Sequence, residues 1–176
     1  AAGVAGGSVL PMLLTCQAGY EALLAREVAE RWGGVVREQG PGWVRVEAAW
    51  PGFVAEGMPA FAHLALLAPL EVKGESVNAL AGAVSDHFLE GLRGERVEAP
   101  WPAVWQGPAE LVGLGRRISA VEAACAEQVR RRVARIARLA GAELPRGPGP
   151  VRARGLFVHF TDFGRLWVAR EAWVAG

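Results

Sequence analysis

Cysteine is nearly missing from this sequence: Cys16 and Cys125 are the only two among 176 residues. They lie too far apart for the paired spacing that zinc or thiol-redox motifs require. A disulfide framework is thereby excluded, and a reducing, cytoplasmic setting is expected. Long hydrophobic runs are also absent, because Arg, Glu or Gly interrupts every apolar stretch short of the roughly 20 residues that a membrane span needs. Ala1 to Leu14 is apolar, but it lacks a basic start and Pro11 interrupts it, which argues against a secretory signal. No membrane association is expected. His63, His87 and His159 are scattered, without Cys or carboxylate neighbours at ligand spacing, so no metal site is expected. No Ser/His/Asp or Cys/His arrangement and no pair of carboxylates suited to acid and base work can be named, so no catalytic residue is assigned. Gly113-Leu114-Gly115-Arg116-Arg117 has some of the spacing of a nucleotide-binding turn, but no third glycine follows and no suitable strand precedes it. It reads as a helix interruption.

Charge is present, and it is unevenly spread. Residues 1–110 carry a net −6 and residues 111–154 a net +7. The basic stretch is built from arginine: Arg116, Arg117, Arg130, Arg131, Arg132, Arg135, Arg138, Arg146, Arg152 and Arg154, against Glu122, Glu127 and Glu143. A guanidinium fork matches phosphate oxygens in two-point geometry, whereas an ammonium is a point charge. A polyanion is the natural partner.

Residues 1–11, ahead of Met12, read as a cloning remnant or an upstream extension and are set aside. Leu10 to Cys16 reads as a short buried strand, followed by a helix from Gly19 to Trp32 with Leu23, Leu24, Val28 and Trp32 near one face, ended by Gly33-Gly34. Val35 to Glu38 and Trp43 to Glu47 read as strands joined by the hairpin-type connection Gln39-Gly40-Pro41-Gly42. A short helix at Phe53 to Met58 and a strand somewhere in the apolar run Leu64 to Val72 would complete a βαββαβ sheet, a ferredoxin-like layout over residues 12–75. Ser76 to Leu92 has helical spacing at Leu80, Val84, Phe88 and Leu92, and residues 76–94 read as a linker helix before a second domain at 95–176. In that domain, Arg96 to Trp105 is a strand candidate that Pro100 and Pro102 confine to an edge. The periodicity of Ile118, Val121, Cys125, Val129, Val133, Ile136 and Ala140 predicts one helix from Ile118 to Ala140. Leu156 to Phe160 and Leu166 to Trp173 read as a hairpin around Asp162-Phe163-Gly164.

On that continuous helix Arg117, Arg131, Arg135 and Arg138 fall within a band roughly 60° wide, opposite the apolar stripe. A plain solvated face usually mixes charge signs for i to i+4 pairing, and here only Glu127 opposes the arginines. Arg116, Arg117, Arg131, Arg135, Arg138, Arg152 and Arg154 are therefore the expected RNA-binding residues, through phosphates. Tryptophans invite a base-stacking role, but Trp32, Trp43 and Trp167 sit in periodic apolar runs as core anchors. Only Trp101 and Trp105 read as surface candidates for stacking.

Met12-Leu-Leu-Thr-Cys-Gln-Ala-Gly-Tyr-Glu21, the helix after it and Gly42-Trp-Val-Arg-Val-Glu47 resemble the amino-terminal segment of THUMP-containing RNA methyltransferases. Ala62-His-Leu-Ala-Leu-Leu67 resembles the strand that closes that family's first ferredoxin-like domain. The arginine-rich helix, with Leu156 to Phe160 and Val168 to Trp173, resembles the THUMP unit and its closing strands. The resemblance extends from Met12 over nearly the whole chain. It is nearest to the bacterial branch that methylates the ribose 2′-hydroxyl of a cytidine in large-subunit ribosomal RNA. It implies an α+β chain, a ferredoxin-like βαββαβ domain followed by a THUMP-type α/β domain. Ribosomal RNA would be the partner, and S-adenosylmethionine would bind a catalytic domain downstream of Gly176 in the same polypeptide. No catalytic or cofactor residue is carried onto this chain. Three consecutive arginines, Arg130 to Arg132, make the helix more basic than the family pattern requires. The corresponding region of a THUMP-bearing guanine N2-methyltransferase, and a free-standing ferredoxin-like protein-interaction domain, are the alternative readings.

Overall fold

Apolar residues on both faces of one short run call for a central strand. In the computed structural model, which describes residues 9–49 and 57–176, Val9–Thr15 forms β1 with Met12, Leu13 and Leu14 all buried. The chain divides into two units. The first comprises residues up to Pro69 with Pro145–Ala153 and Glu171–Gly176, and the second Leu70–Leu144 with Arg154–Arg170.

In the first unit β1 leads to helix α1 (Glu21–Trp32) and strands β2 (Val35–Gly40), β3 (Trp43–Ala49) and β4 (Leu64–Leu67). β1 lies between β3 and β4, and β2 pairs with β3, every pairing antiparallel. The resulting order β4-β1-β3-β2 is the ferredoxin-like one. Helix α1 stops at Gly33, which takes the left-handed conformation (φ 62°) that an L side chain resists. It buries Leu24 and Val28 against Met12, Leu14, Val44 and Val46, each such side chain contributing about 1.5–3 kcal/mol. Leu23, expected on the same face, is 44% exposed instead. It directly precedes Leu24, and a 100° step per residue carries it off the narrow buried stripe. The Gly42 amide, at φ 82°, donates to the Glu21 carboxylate at 2.7 Å and fixes the turn into β3 to the start of α1. Of the expected helix at Phe53 to Met58, residues 53–56 lie outside the described residues, and Gly57 and Met58 are not helical.

The apolar run Leu64 to Val72 is two strands rather than one. β4 ends at Leu67, Ala68 turns to φ 46°, Pro69 lacks an N–H for a ladder, and β5 (Leu70–Lys73) belongs to the second unit. The Ala68 amide donates to the Pro11 carbonyl at 3.0 Å, which holds the break.

The second unit contains β5, helix α2 (Val77–Gly91), β6 (Ala103–Gln106), helices α3 (Leu114–Arg132) and α4 (Ala134–Arg138), and most of the long strands β7 (Val151–Asp162) and β8 (Arg165–Val174). β7 and β8 form the expected hairpin, turning at Phe163-Gly164. β5 pairs antiparallel with β8 and β6 pairs parallel with β7. β6 begins only after Pro102, so the proline argument shortens the Arg96 to Trp105 candidate to its last residues and one more. Ser76 caps α2, its hydroxyl accepting from the Ala79 amide at 3.0 Å. α2 and α3 pack through Leu80, Ala81, Val84, Phe88, Val121 and Cys125 onto Leu156, Val158, Phe160, Leu166 and Val168. At their contact the Ser85 hydroxyl donates to the Ala81 carbonyl and reaches the Cys125 thiol at 3.2 Å.

The expected continuous helix from Ile118 to Ala140 is corrected at both ends. It starts earlier, at Leu114, so Gly113 is the left-handed residue (φ 88°) that opens α3 and not an interruption. It stops at Arg132, because Val133 leaves helical geometry (φ −144°, ψ 81°). Trp101 anchors the segment that follows the stop. Its indole N–H donates to the Ile136 carbonyl at 2.9 Å and its backbone amide to the Leu139 carbonyl at 2.9 Å, so α4 is held by a strand-side residue. No described helix is long and apolar enough to cross a membrane.

Candidate nucleic-acid interface

The break at Val133 redistributes the arginines. Arg116, Arg117 and Arg131 ride on α3, whereas Arg135 and Arg138 ride on α4, so the four-arginine band of an unbroken helix does not form. Arg117 and Arg131 sit at opposite ends of α3, about 21 Å apart along its axis at 1.5 Å per residue. Arg117 also has a structural task. It donates to the Phe163 carbonyl and the Glu75 carbonyl, each at 2.5 Å, tying the first turn of α3 to the β7–β8 turn and to the loop before α2. Arg154 lies in the second unit with these residues, while Arg152 belongs to the first.

Most of these side chains meet carboxylates or carbonyls that lie far away in sequence. Arg131 and Arg130 share Glu127, and hydrogen bonds first from Arg130 and then from Arg131 pull its carboxyl down to about 2. Arg132 pairs with Asp86 at 2.6 Å, Arg154 with Glu95 at 2.8 Å, and Arg152 with Glu171. Arg135 donates to the Val97 carbonyl at 3.0 Å. Arg116 and Arg138 are exposed and make no ion pair with another described residue. Exposed pairs of this kind contribute only about 0–1 kcal/mol, so a phosphate can replace the carboxylate at little cost.

The break also creates a concavity of about 320 Å³ at the end of α2, lined by Leu89, Glu90, Leu92, Arg93, Glu95, Arg132, Val133, Arg135 and Ile136. All of these residues belong to the second unit. Arg93, Glu90 and Glu95 were not singled out by the sequence, and Arg132 was not among the four arginines of the band. The available signal was the acidic and basic mixture around Gly94, which acquires meaning only once α4 folds back beside it.

Trp101 and Trp105 are both partly buried against the second unit's core. Trp101 packs on Phe88 with ring centroids 4.7 Å apart and spends its N–H on α4, and Trp105 lies 6.5 Å from Phe160. Trp43 and Trp167 are buried, as core anchors should be, and Trp32 is partly buried against the first unit's core. His159 is 4% exposed, neither ring nitrogen has a hydrogen-bond partner, and burial pushes its pKa down to about 4.

No protein-family model and no curated protein matches the chain. Solved structures do share its fold. A structure described as a possible methylase from Clostridium difficile 630 superposes with a TM-score of 0.57 at 14% identity, covering 93% of this chain and 41% of its own. One described as a predicted N6-adenine-specific DNA methylase from Listeria monocytogenes gives 0.56 at 16%, covering 96% and 40%. TrmN from Thermus thermophilus gives 0.51 at 20%, covering 92% and 45%. At such identities the likeness is one of fold. The chain spans less than half the length of each of these proteins.

Proposed function

We propose that this chain is the RNA-binding region of a larger methyltransferase and presents ribosomal RNA to a catalytic domain downstream in the same polypeptide. That domain would bind S-adenosylmethionine and methylate a ribose 2′-hydroxyl. The observation that carries this reading is one of extent. Nearly all of the chain superposes on two proteins described as methylases, yet it accounts for only 41% and 40% of their length. An accessory part of a methylase would do something other than the chemistry, and the arginines of α3 and α4 supply a means of holding a polyanion. The residues from Gly113 to Gly115 supply no cofactor loop. The glycine-spaced turn at 113–115 is used to open α3, with Leu114 buried in the core.

Arg116, Arg131, Arg135, Arg138, Arg152 and Arg154 are the proposed phosphate contacts, and Arg117 contributes chiefly by fixing the start of α3. Titrating single-stranded ribosomal RNA fragments at several salt concentrations tests the reading. Replacing Arg131, Arg135 and Arg138 together by Gln should weaken binding to all sequences and flatten the salt dependence by about two units of log-log slope, at roughly 0.7 per lost contact. Stability should change by no more than about 0.5 kcal/mol, since all three are surface positions. A variant that melts normally and binds with unchanged affinity and slope would make this a solvated face, and the reading would fall.

A further inference from the structure

We infer that the concavity at the end of α2 holds a single unstacked RNA base bearing an exocyclic amino group. This deepens the proposed function and rests on it. It adds base recognition to a surface otherwise expected to read only phosphates.

The floor is apolar, formed by Leu89 and Ile136, 9% and 6% exposed, with Leu92 and Val133 beside them. The lining also brings donors and acceptors together: Arg93, Arg132 and Arg135 with Glu90 and Glu95. A phosphate track has no use for carboxylates, which repel it, nor for an apolar floor. A base needs both kinds of surface. Its ring covers apolar side chains or stacks beneath a guanidinium plane, and its amino group donates to a carboxylate. The volume, about 320 Å³, lies at the small end of the range of roughly 300–1,000 Å³ for ligand pockets, which suits one base and excludes a duplex.

The two carboxylates of the lining sit in exposed pairs. The Arg93–Glu90 contact is 3.3 Å long with side chains 80% and 66% exposed, and in the Arg154–Glu95 pair they are 61% and 41% exposed. Pairs this exposed are held weakly. An amino group entering at Glu90 or Glu95 therefore displaces a bond of small net worth. The guanidinium it releases can turn to the phosphate of the same nucleotide.

Oligocytidylate and oligouridylate make a suitable pair of probes, because their bases match in size and differ in the amino group and its neighbouring ring edge. The 176-residue chain should bind oligocytidylate about tenfold more tightly than oligouridylate at one salt concentration, within the range expected for a good base contact. In the double variant Glu90→Gln, Glu95→Gln the preference should shrink to about twofold, while affinity for oligouridylate holds or rises as two negative charges leave. If the variant gains equally for both RNAs, or the unmodified chain does not distinguish them, the groove is only part of a phosphate track and the inference is overturned. An unmodified chain that binds neither RNA overturns the proposed function together with this inference. Matching thermal melts of the chain and the variant would exclude misfolding as the cause.

Discussion

The first unit carries six arginines against seven carboxylates, and the second thirteen basic side chains against eleven carboxylates. Neither is strongly charged, although the linear sequence divides sharply at about residue 110. The acidic stretch 70–110 and most of the basic stretch 111–154 fold into the same unit, where Asp86 meets Arg132 and Glu95 meets Arg154. Charge segregated along a chain need not remain segregated in space. Any attraction of this protein for RNA should therefore come from local guanidinium geometry and its exchangeable partners, with little long-range steering from net charge.

The units differ in their interiors as well. Phe88 is 2% exposed in the second unit and Leu24 fully buried in the first. Phe88→Ala should cost about 3–5 kcal/mol and Leu24→Ala about 2–5 kcal/mol by denaturant titration. Peptide-resolved hydrogen exchange would sharpen the contrast: Phe88→Ala should loosen α2 and α3 first, and Leu24→Ala should loosen α1 and β1. If either variant relaxed both units equally, the chain would be one cooperative structure and the comparison would dissolve.

Acid should separate the units next. His159 lies in the second unit and stays neutral in the folded state down to about pH 4, because burial opposes its charge. The unfolded chain takes up that proton near pH 6.5. This stabilisation is complete above about pH 6.5 and is lost as pH falls toward 4, amounting to ~3 kcal/mol at most. Burial also lowers the pKa of His87, helped by Arg170, and adds in the same direction. Denaturation midpoints at pH 7 and pH 4.5 should diverge in the native chain and converge markedly in His159→Leu. An equally steep loss in that variant would place the acid sensitivity elsewhere.

The smallest expected effect concerns the charge balance itself. Asp86 and Arg132 pair with side chains 72% and 47% exposed, so Asp86→Asn should alter stability by less than about 0.5 kcal/mol. RNA affinity should rise in the same variant, because Arg132 loses a competing carboxylate. Unchanged affinity would show that Arg132 is not part of the RNA-facing surface.

Much of the architecture could be read in advance. The order β1-α1-β2-β3 follows from the short apolar runs, the helical spacing between them and the glycines at 33, 34, 40 and 42, and the β7–β8 hairpin from Asp162-Phe163-Gly164. Three features were misread for a common reason. The β4–β5 break looked like one apolar run, the α3–α4 break looked like an unbroken heptad-like stripe, and Trp101 looked exposed beside its prolines. In each case a residue distant in sequence bonds the segment concerned: Pro11 accepts from Ala68, and Trp101 donates to Ile136 and Leu139.

By itself, then, the sequence determined which segments were strand or helix wherever period and terminator agree locally, as at Leu24, Val28 and Gly33. It also determined that the cations of residues 111–154 would all be arginine. Only the tertiary structure decided where those arginines point and what they meet. Helical phase can be extrapolated along a chain only until the backbone leaves helical geometry. At Val133 it does so, the arginines divide between α3 and α4, and Trp101 anchors α4 at Ile136 beside the groove that Arg93 and Arg135 line.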